Sequence, residues 1–193
     1  RKKNADQDEP VVEGGREMIL LVDQAVDPHL VMYHDPHGAE AEQFRGLRNQ
    51  IVAMNEERAP RSIVVTSALA HEGKSVSAAN LAIALAELND TRVVILDADV
   101  RNPSIESLMG MNRRRGMTDV LNGRLALDRA IQKTSFHQLA LIGAGSLPRN
   151  PSELIAAADR FKVFVHALKE NFNYILIDAP PALDLTDATV LGH

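Results

Sequence analysis

The chain has 193 residues, 45% of them hydrophobic and 24% charged, with a formal net charge of −5, which suits one soluble globular domain with a short extension. A basic excess would mark a nucleic-acid partner, and 4% aromatics with no Trp leave no stacking platform for single strands, so nucleic acid is not an expected partner. With no Cys in the chain, disulfides, thiolate metal sites, iron–sulfur clusters and cysteine nucleophiles are excluded together, and a reducing compartment is expected.

In chain order, residues 1–16 are polar and aperiodic and read as a flexible arm. We expect an N-terminal arm or juxtamembrane segment over residues 1–37 and the globular domain over 38–193. Arg1-Lys2-Lys3 suits the cytosolic flank of a transmembrane helix in a longer parent. The purely apolar runs, such as Met18–Val22, fall well short of the roughly 20 residues that a spanning helix needs. Met18–Val22 and Leu30–Tyr33 each suit an edge strand. Residues 38–57 read as a helix, because Phe44, Leu47, Ile51 and Met54 form one apolar stripe.

From residue 61 the pattern alternates. Ser62–Thr66 reads as a strand, Lys74–Leu88 as an Ala- and Leu-rich helix, and Val93–Leu96 as a buried strand ending in Asp97. Short helical pieces follow at Ser104–Met109 and Met117–Leu121. Leu139–Ile142 is a third strand, Pro151–Phe172 a helix, and Tyr174–Ile177 a fourth strand ending in Asp178. Strands apolar on both faces and alternating with helices predict an α/β fold, a doubly wound, mostly parallel sheet flanked by helices. The chain stops at Leu191-Gly192-His193 as a further helix begins, so a C-terminal part is expected beyond it.

The stretch Ala68-Leu69-Ala70-His71-Glu72-Gly73-Lys74-Ser75 lies between a predicted strand and a predicted helix, the context of a P-loop. Backbone amides of such a turn and of the helix N-terminus point at phosphates. Gly73 permits close approach of the chain. Lys74 is placed to neutralise the β- and γ-phosphates, and the Ser75 hydroxyl to ligate Mg²⁺. Asp97 and Asp99 follow one strand and Asp178 another. Ligands of an open α/β sheet bind at the carboxyl ends of its strands, so the three acids are expected near the loop, where they can hold Mg²⁺ or accept a proton. Strand-end capping by Asp97 and Asp178, or an Asp99–Arg101 surface ion pair, are the plainer alternatives.

Ser67–Ser75, Asn80-Leu81-Ala82, Leu96-Asp97-Ala98-Asp99-Val100-Arg101-Asn102-Pro103 and Ile177-Asp178-Ala179-Pro180-Pro181 together resemble the bacterial tyrosine kinases of capsule and exopolysaccharide synthesis. The segments Gly116–Leu121 and Gly145–Leu154 are similar too, and the likeness runs from about residue 41 to the end. The resemblance implies a P-loop NTPase fold with Walker A, Walker A′ and Walker B motifs, and a protein-tyrosine autokinase that takes ATP and Mg²⁺. It implies Lys74, Asp97 and Asp99 as catalytic residues, Asp97 or Asp99 taking the tyrosine proton. Ala70, His71, Glu72, Gly73, Lys74, Ser75, Val76 and Arg101 would bind the nucleotide, and Ser75, Asp97 and Asp178 the metal.

Glu42-x-x-Arg45-x-x-Arg48 matches the family's oligomerisation helix, the three residues falling within an arc of about 120°. Read without the family, they are a solvated face with local ion pairs. With it, a ring-like homo-oligomer is implied, in which a tyrosine-rich C-terminal tail enters the neighbouring protomer's site. The resemblance further implies a transmembrane polysaccharide co-polymerase as activator, or a fused membrane domain, and a cytoplasmic location at the inner face of the membrane.

The sequence departs from the family pattern where Ala70-His71 replace the frequent Pro-Gly and where Arg149 replaces a frequent second Pro. Its tyrosines are Tyr33 and Tyr174 alone, so the tail is expected beyond His193. Two competing functions are a Walker A′ ATPase of the partition or septum-positioning type, whose extra signature lysine is absent from Ser67-Ala68-Leu69-Ala70, and a nucleotide-gated scaffold of an export complex. Arg113-Arg114-Arg115 reads as a solvated run or as a dock for an acidic peptide or anionic headgroup. His29, His34 and His37 read as loop residues.

Overall fold

The computed structural model describes residues 26–57, 59–146 and 158–182. Its elements in chain order are α1 (Val31–His34), α2 (Ala39–Ala53), β1 (Arg61–Val65), α3 (Lys74–Ala86), β2 (Val93–Asp97), α4 (Ile105–Leu108), α5 (Met117–Leu121), α6 (Leu127–Ala130), β3 (Gln132–Lys133), β4 (Leu139–Ile142), α7 (Ala158–Lys169) and β5 (Tyr174–Asp178). The five strands form one sheet in the order β1-β5-β2-β4-β3. All pairings are parallel except β3 with β4. This is the doubly wound, mostly parallel sheet that the strand and helix alternation predicts.

Central strands β2 and β5 are buried along their whole length, which explains their continuous apolar runs. Successive strand residues point to opposite faces. Val93 and Ile95 pack with Leu81, Leu85 and Ile105 on one face, and Val94 and Leu96 pack with Phe161, Phe164 and Leu168 on the other. In α3, small residues from Ala78 to Ala86 are buried, and their lack of bulk lets this helix lie close to the sheet. The pairing register places Asp97 of β2 opposite Asp178 of β5, whose other neighbour is Val65 of β1. The two acids therefore leave the sheet side by side at its carboxyl edge.

Two expectations change. Leu30–Tyr33 is not an edge strand: Val31–His34 is a turn of helix, and Leu30 and Met32 are buried in the α3 cluster. Asn80, fully buried, fastens this segment by accepting from the Met32 amide at 3.0 Å and donating to the His29 carbonyl at 2.9 Å. Val26, Leu30 and Met32, within the expected arm segment, thus pack into the core cluster. The α2 stripe is split, because Phe44 and Ile51 pack against the core whereas Leu47 and Met54 are 44% and 85% exposed. Helix α6 and the antiparallel edge strand β3, with four and two residues, are too short to carry a period. Most of the arm, the Met18–Val22 run, the first part of the predicted Pro151–Phe172 helix and the chain end lie outside the described residues.

Candidate active site

The loop between β1 and α3 is built on its own hydrogen bonds. Thr66 Oγ donates to the Pro180 carbonyl at 2.8 Å, and the Ala182 amide donates to the Ser67 carbonyl at 2.8 Å, tying the loop to the exit of β5. Ser67 Oγ donates to the Leu69 carbonyl at 2.7 Å, and the Glu72 carboxylate accepts from the Leu69 amide at 3.0 Å. His71 and Gly73 both take left-handed backbone angles, with φ of 65° and 86°. Gly73 does so freely. His71 does so at a steric penalty of about 1–2 kcal/mol, at the position where the resembled family often has glycine. These turns bring the chain into α3 with no side chain capping its N-terminus. The first amides of α3 are thus open to an anion, and the helix dipole favours one there.

Lys74 and Ser75 open that helix and turn toward the strand ends. Lys74 Nζ lies 2.9 Å from Asp99 Oδ2 and 3.3 Å from Asp178 Oδ1, with all three side chains nearly buried. Ser75 Oγ donates to Asp178 Oδ2 at 2.6 Å. Burial opposes the Lys74 charge, but the hydrogen bond to Asp99 and the fields of Asp178 and Asp99 hold its pKa above the ordinary lysine value. Burial raises the Asp178 pKa, and the bonds from Ser75 and Lys74 offset only part of that rise. A cavity of about 520 Å³ opens over these groups, floored by Lys74, Ser75 and Asp99.

Asp97 sits beside the cluster in a different role. Its Oδ1 accepts from the Asp99 amide at 3.1 Å, and its Oδ2 accepts from the Ser104 and Ile105 amides at 2.9 and 3.0 Å. Three of the roughly four acceptor positions of a carboxylate are thus occupied by backbone. Burial pushes its pKa up to about 7, with Asp178 and Asp99 adding to the rise and the Ile105 and Ser104 bonds opposing it. The plainer capping alternative describes the contacts of Asp97 here, while Asp178 faces the loop.

Of the predicted nucleotide-binding residues, Ala70, His71, Gly73, Lys74, Ser75 and Val76 line the cavity. The Glu72 side chain turns back onto the Leu69 amide, and Arg101 is exposed; neither lines it. The cavity wall also uses Asn102, Pro103, Ser104, Leu108 and Pro181, which the sequence reading assigned no role. Asn102, Pro103 and Pro181 stand within the motifs that carried the resemblance, so a signal for them was present. Leu108 has none.

Two further segments singled out in the sequence interlock beside the site. The Asp119 carboxylate accepts from the Gly116 amide, the Ser146 amide and Ser146 Oγ at 3.1, 3.1 and 2.9 Å, and Thr118 Oγ donates to the Ser146 carbonyl at 2.7 Å. Burial works against the Asp119 charge, but these bonds and Arg115 hold its pKa below the usual carboxylate value. Residues 147–154, the rest of the second segment, lie outside the described residues.

The three residues of the expected oligomerisation helix meet one another through their own chain. Arg45 reaches Glu87 at 2.6 Å and Glu42 at 2.7 Å, and Arg48 reaches Glu87 at 2.9 Å and the Ala84 carbonyl at 3.2 Å. The two guanidinium groups cover the C-terminus of α3, where the helix dipole favours cations. The Arg45 hydrogen bond holds the Glu87 pKa below its ordinary value.

Comparison with known proteins agrees with this geometry. The family model described as an AAA domain matches residues 61–192. The tyrosine-protein kinase YwqD of Bacillus subtilis is 30% identical over 165 residues, 86% of this chain and 69% of that one. The chain belongs to the bacterial tyrosine-protein kinases. The kinase domain of Escherichia coli tyrosine kinase ETK superposes with a TM-score of 0.77 at 28% identity, over 84% of this chain and 63% of that one. The septum site-determining protein MinD of Pyrococcus horikoshii, solved with Mg-ADP, superposes less well, with a TM-score of 0.58 at 27% identity over 68% of this chain and 53% of that one. Other curated members of the kinase family are longer, and in several the matching stretch is only 20–24% of the length.

Proposed function

We propose that this chain transfers the γ-phosphoryl group of ATP to tyrosine hydroxyls. The observation that carries this reading is the convergence of Lys74 and Ser75, at the uncapped start of α3, with two strand-end acids: Lys74, Ser75 and Asp99 line one cavity, and the buried Asp178 bonds to both Lys74 and Ser75. The loop amides and Lys74 bind the β- and γ-phosphates. The oxygen donors Ser75 Oγ and Asp178 lie 2.6 Å apart and are hard ligands of the kind that Mg²⁺ takes alongside phosphates and water. Mg²⁺, when bound, supplies charge neutralisation for the phosphates. Asp97 retains one acceptor position and supports the site by capping Ser104 and Ile105 of its wall.

Lys74 must leave Asp99 to serve the phosphates, and that frees the Asp99 carboxylate. Asp99 lines the cavity whereas Asp97 does not, so Asp99 is the acid that accepts the tyrosine proton. The bond from phosphorus to the β–γ bridging oxygen breaks as the bond to the phenolic oxygen forms, and ADP leaves. This chemistry needs mainly positioning and neutralisation, which the residue set supplies.

Family membership supports a regulatory autokinase of exopolysaccharide or capsule synthesis and export, acting at the inner face of the bacterial membrane beside a membrane partner or a fused membrane domain. Among the described residues no helix is long and apolar enough to cross a membrane. Ring assembly through Glu42, Arg45 and Arg48 is supported by the exposed Leu47 on the same helix and Met54 just past its end, with the neighbour's tyrosine-rich tail as substrate. The MinD likeness keeps a simple ATPase as the competing reading. Mass spectrometry after incubation of the protein with Mg-ATP and a tyrosine-bearing peptide tests the proposal: phosphate on tyrosine supports it, and turnover of ATP with no modified tyrosine refutes it.

A further inference from the structure

We propose that the arginine-rich loop after α4 is a dock for acidic residues that flank the acceptor tyrosine, an inference that rests on the kinase reading above. Arg113, Arg114, Arg115 and Arg124 are exposed on a chain whose net charge is −5. They lie close together, since the Arg115 guanidinium donates to the Arg124 carbonyl. Their backbone is held from below. The buried Glu106 carboxylate accepts from the Arg114 amide at 3.0 Å and from Gln132 Nε2 at 2.8 Å, and Gly143 leaves room for it, because a Cβ there would meet the carboxylate at 2.4–2.6 Å. Arg113 also donates to the Gly145 carbonyl at 3.4 Å. A carboxylate taken out of water to fix a basic loop presents that loop in one shape. Among the described residues, the Arg114 and Arg124 guanidinium groups have no hydrogen-bond or ion-pair partner, and the one acid that meets Arg115 is the buried Asp119, at 3.6 Å.

The loop stands at the same edge of the sheet as the phosphate site. Gly143–Ser146, on which it rests, follow β4, and β4 is the parallel neighbour of β2, which ends at Asp97. Arg113 comes five residues after Leu108 of the cavity wall, so their Cα atoms are at most about 17 Å apart. An extended peptide with its tyrosine in the cavity covers that span in about five residues. Carboxylates within that distance of the tyrosine therefore reach the arginines. A lipid surface is the poorer match. Membrane-binding basic segments gather about 4–8 cations, and here the buried Asp119 offsets part of the charge of four arginines.

The test compares two tyrosine peptides, one with glutamates on either side of the tyrosine and one with glutamines in their place, on the wild type and on the double variant Arg114→Glu/Arg124→Glu. Both replaced side chains are exposed, so folding is expected to hold. For the wild type the glutamate peptide should show the lower KM, and the gap should narrow as ionic strength rises. In the double variant KM for the glutamate peptide should rise about tenfold, with kcat, KM for ATP and KM for the glutamine peptide unchanged. Fluorescence anisotropy with the same labelled peptides reads the dock without catalysis, so a wild type that binds the glutamate peptide more tightly but forms no phosphotyrosine refutes the kinase reading and leaves the dock standing. Equal affinity for the two peptides overturns the dock, as does a variant that weakens both peptides and ATP alike. Loss of co-sedimentation with phosphatidylserine-containing vesicles, with peptide affinity unaltered, overturns it in favour of a membrane surface.

Discussion

Asp97 gives this protein a stability that should fall as pH rises. Its side chain is 1% exposed, and its pKa stands at about 7 in the folded chain against 3.8 in the unfolded one. Between those values the folded state binds the extra proton, so this contribution is fully present below pH 4 and is lost as pH passes through about 7. The difference, about 7 less 3.8, is about three units, and at 1.36 kcal/mol each the loss approaches 4 kcal/mol as an upper bound. Asp178, also raised by burial, adds to the fall. Glu87 and Asp119 are shifted downward, so their contributions are lost only as pH falls toward and below their ordinary range. Asp97→Asn removes the charge but turns one acceptor oxygen into a donor, giving up at least one of the three backbone bonds at about 1–3 kcal/mol. The variant should be less stable than the wild type at pH 4, where little of the Asp97 contribution is lost, and equal to it or more stable at pH 8. Urea unfolding followed by circular dichroism across that range measures both curves. A gap between them that does not change with pH would refute the buried-charge reasoning.

Further outcomes follow from single contacts. Gly116→Ala sets a Cβ 2.0 Å from the Gly143 carbonyl oxygen, and a loss of about 3 kcal/mol is expected in thermal denaturation; a smaller loss than 1 kcal/mol would mean that the interlock with Gly143–Ser146 is loose. Asn80→Ala removes the acceptor of the Met32 amide and the donor to the His29 and Val76 carbonyls, about 3 kcal/mol at roughly 1 kcal/mol per bond, and should speed proteolysis between residues 26 and 37; unchanged cleavage there would contradict the fastening role. Glu87→Gln weakens the hold on Arg45 and Arg48, with a fall of about 1 kcal/mol in stability and stronger self-association in analytical ultracentrifugation as those arginines become available to a neighbour. Association equal to that of the wild type would count against their place in the ring interface.

The strands and the loop were readable because their signals are local. Val93–Asp97 and Tyr174–Asp178 are apolar on both faces and end in acids, and only a sheet covered on both sides accommodates such runs. Lys74–Ala86 was readable from its Ala and Leu content and its start at Gly73. The segment Leu30–Tyr33 misled because its burial comes from a long-range partner, Asn80, which no local period reveals. The stripe on α2 misled because hydrophobicity shows which residues share a face but not whether that face meets the core. Within the site, residue types identified Lys74, Ser75, Asp99 and Asp178. The contacts of Asp97 depend instead on how the chain at Ser104 and Ile105 turns back over it, a feature of the fold and not of spacing. His71 in a left-handed turn was foreshadowed by the glycine that its relatives often place there.

The most direct measurement of the central claim is the fate of the γ-phosphate. With labelled ATP, Mg²⁺ and a tyrosine-bearing peptide, the account predicts label on phosphotyrosine for the wild type and its loss in Lys74→Met. Label released only as inorganic phosphate, or phosphotyrosine persisting without the Lys74 ammonium, would contradict it.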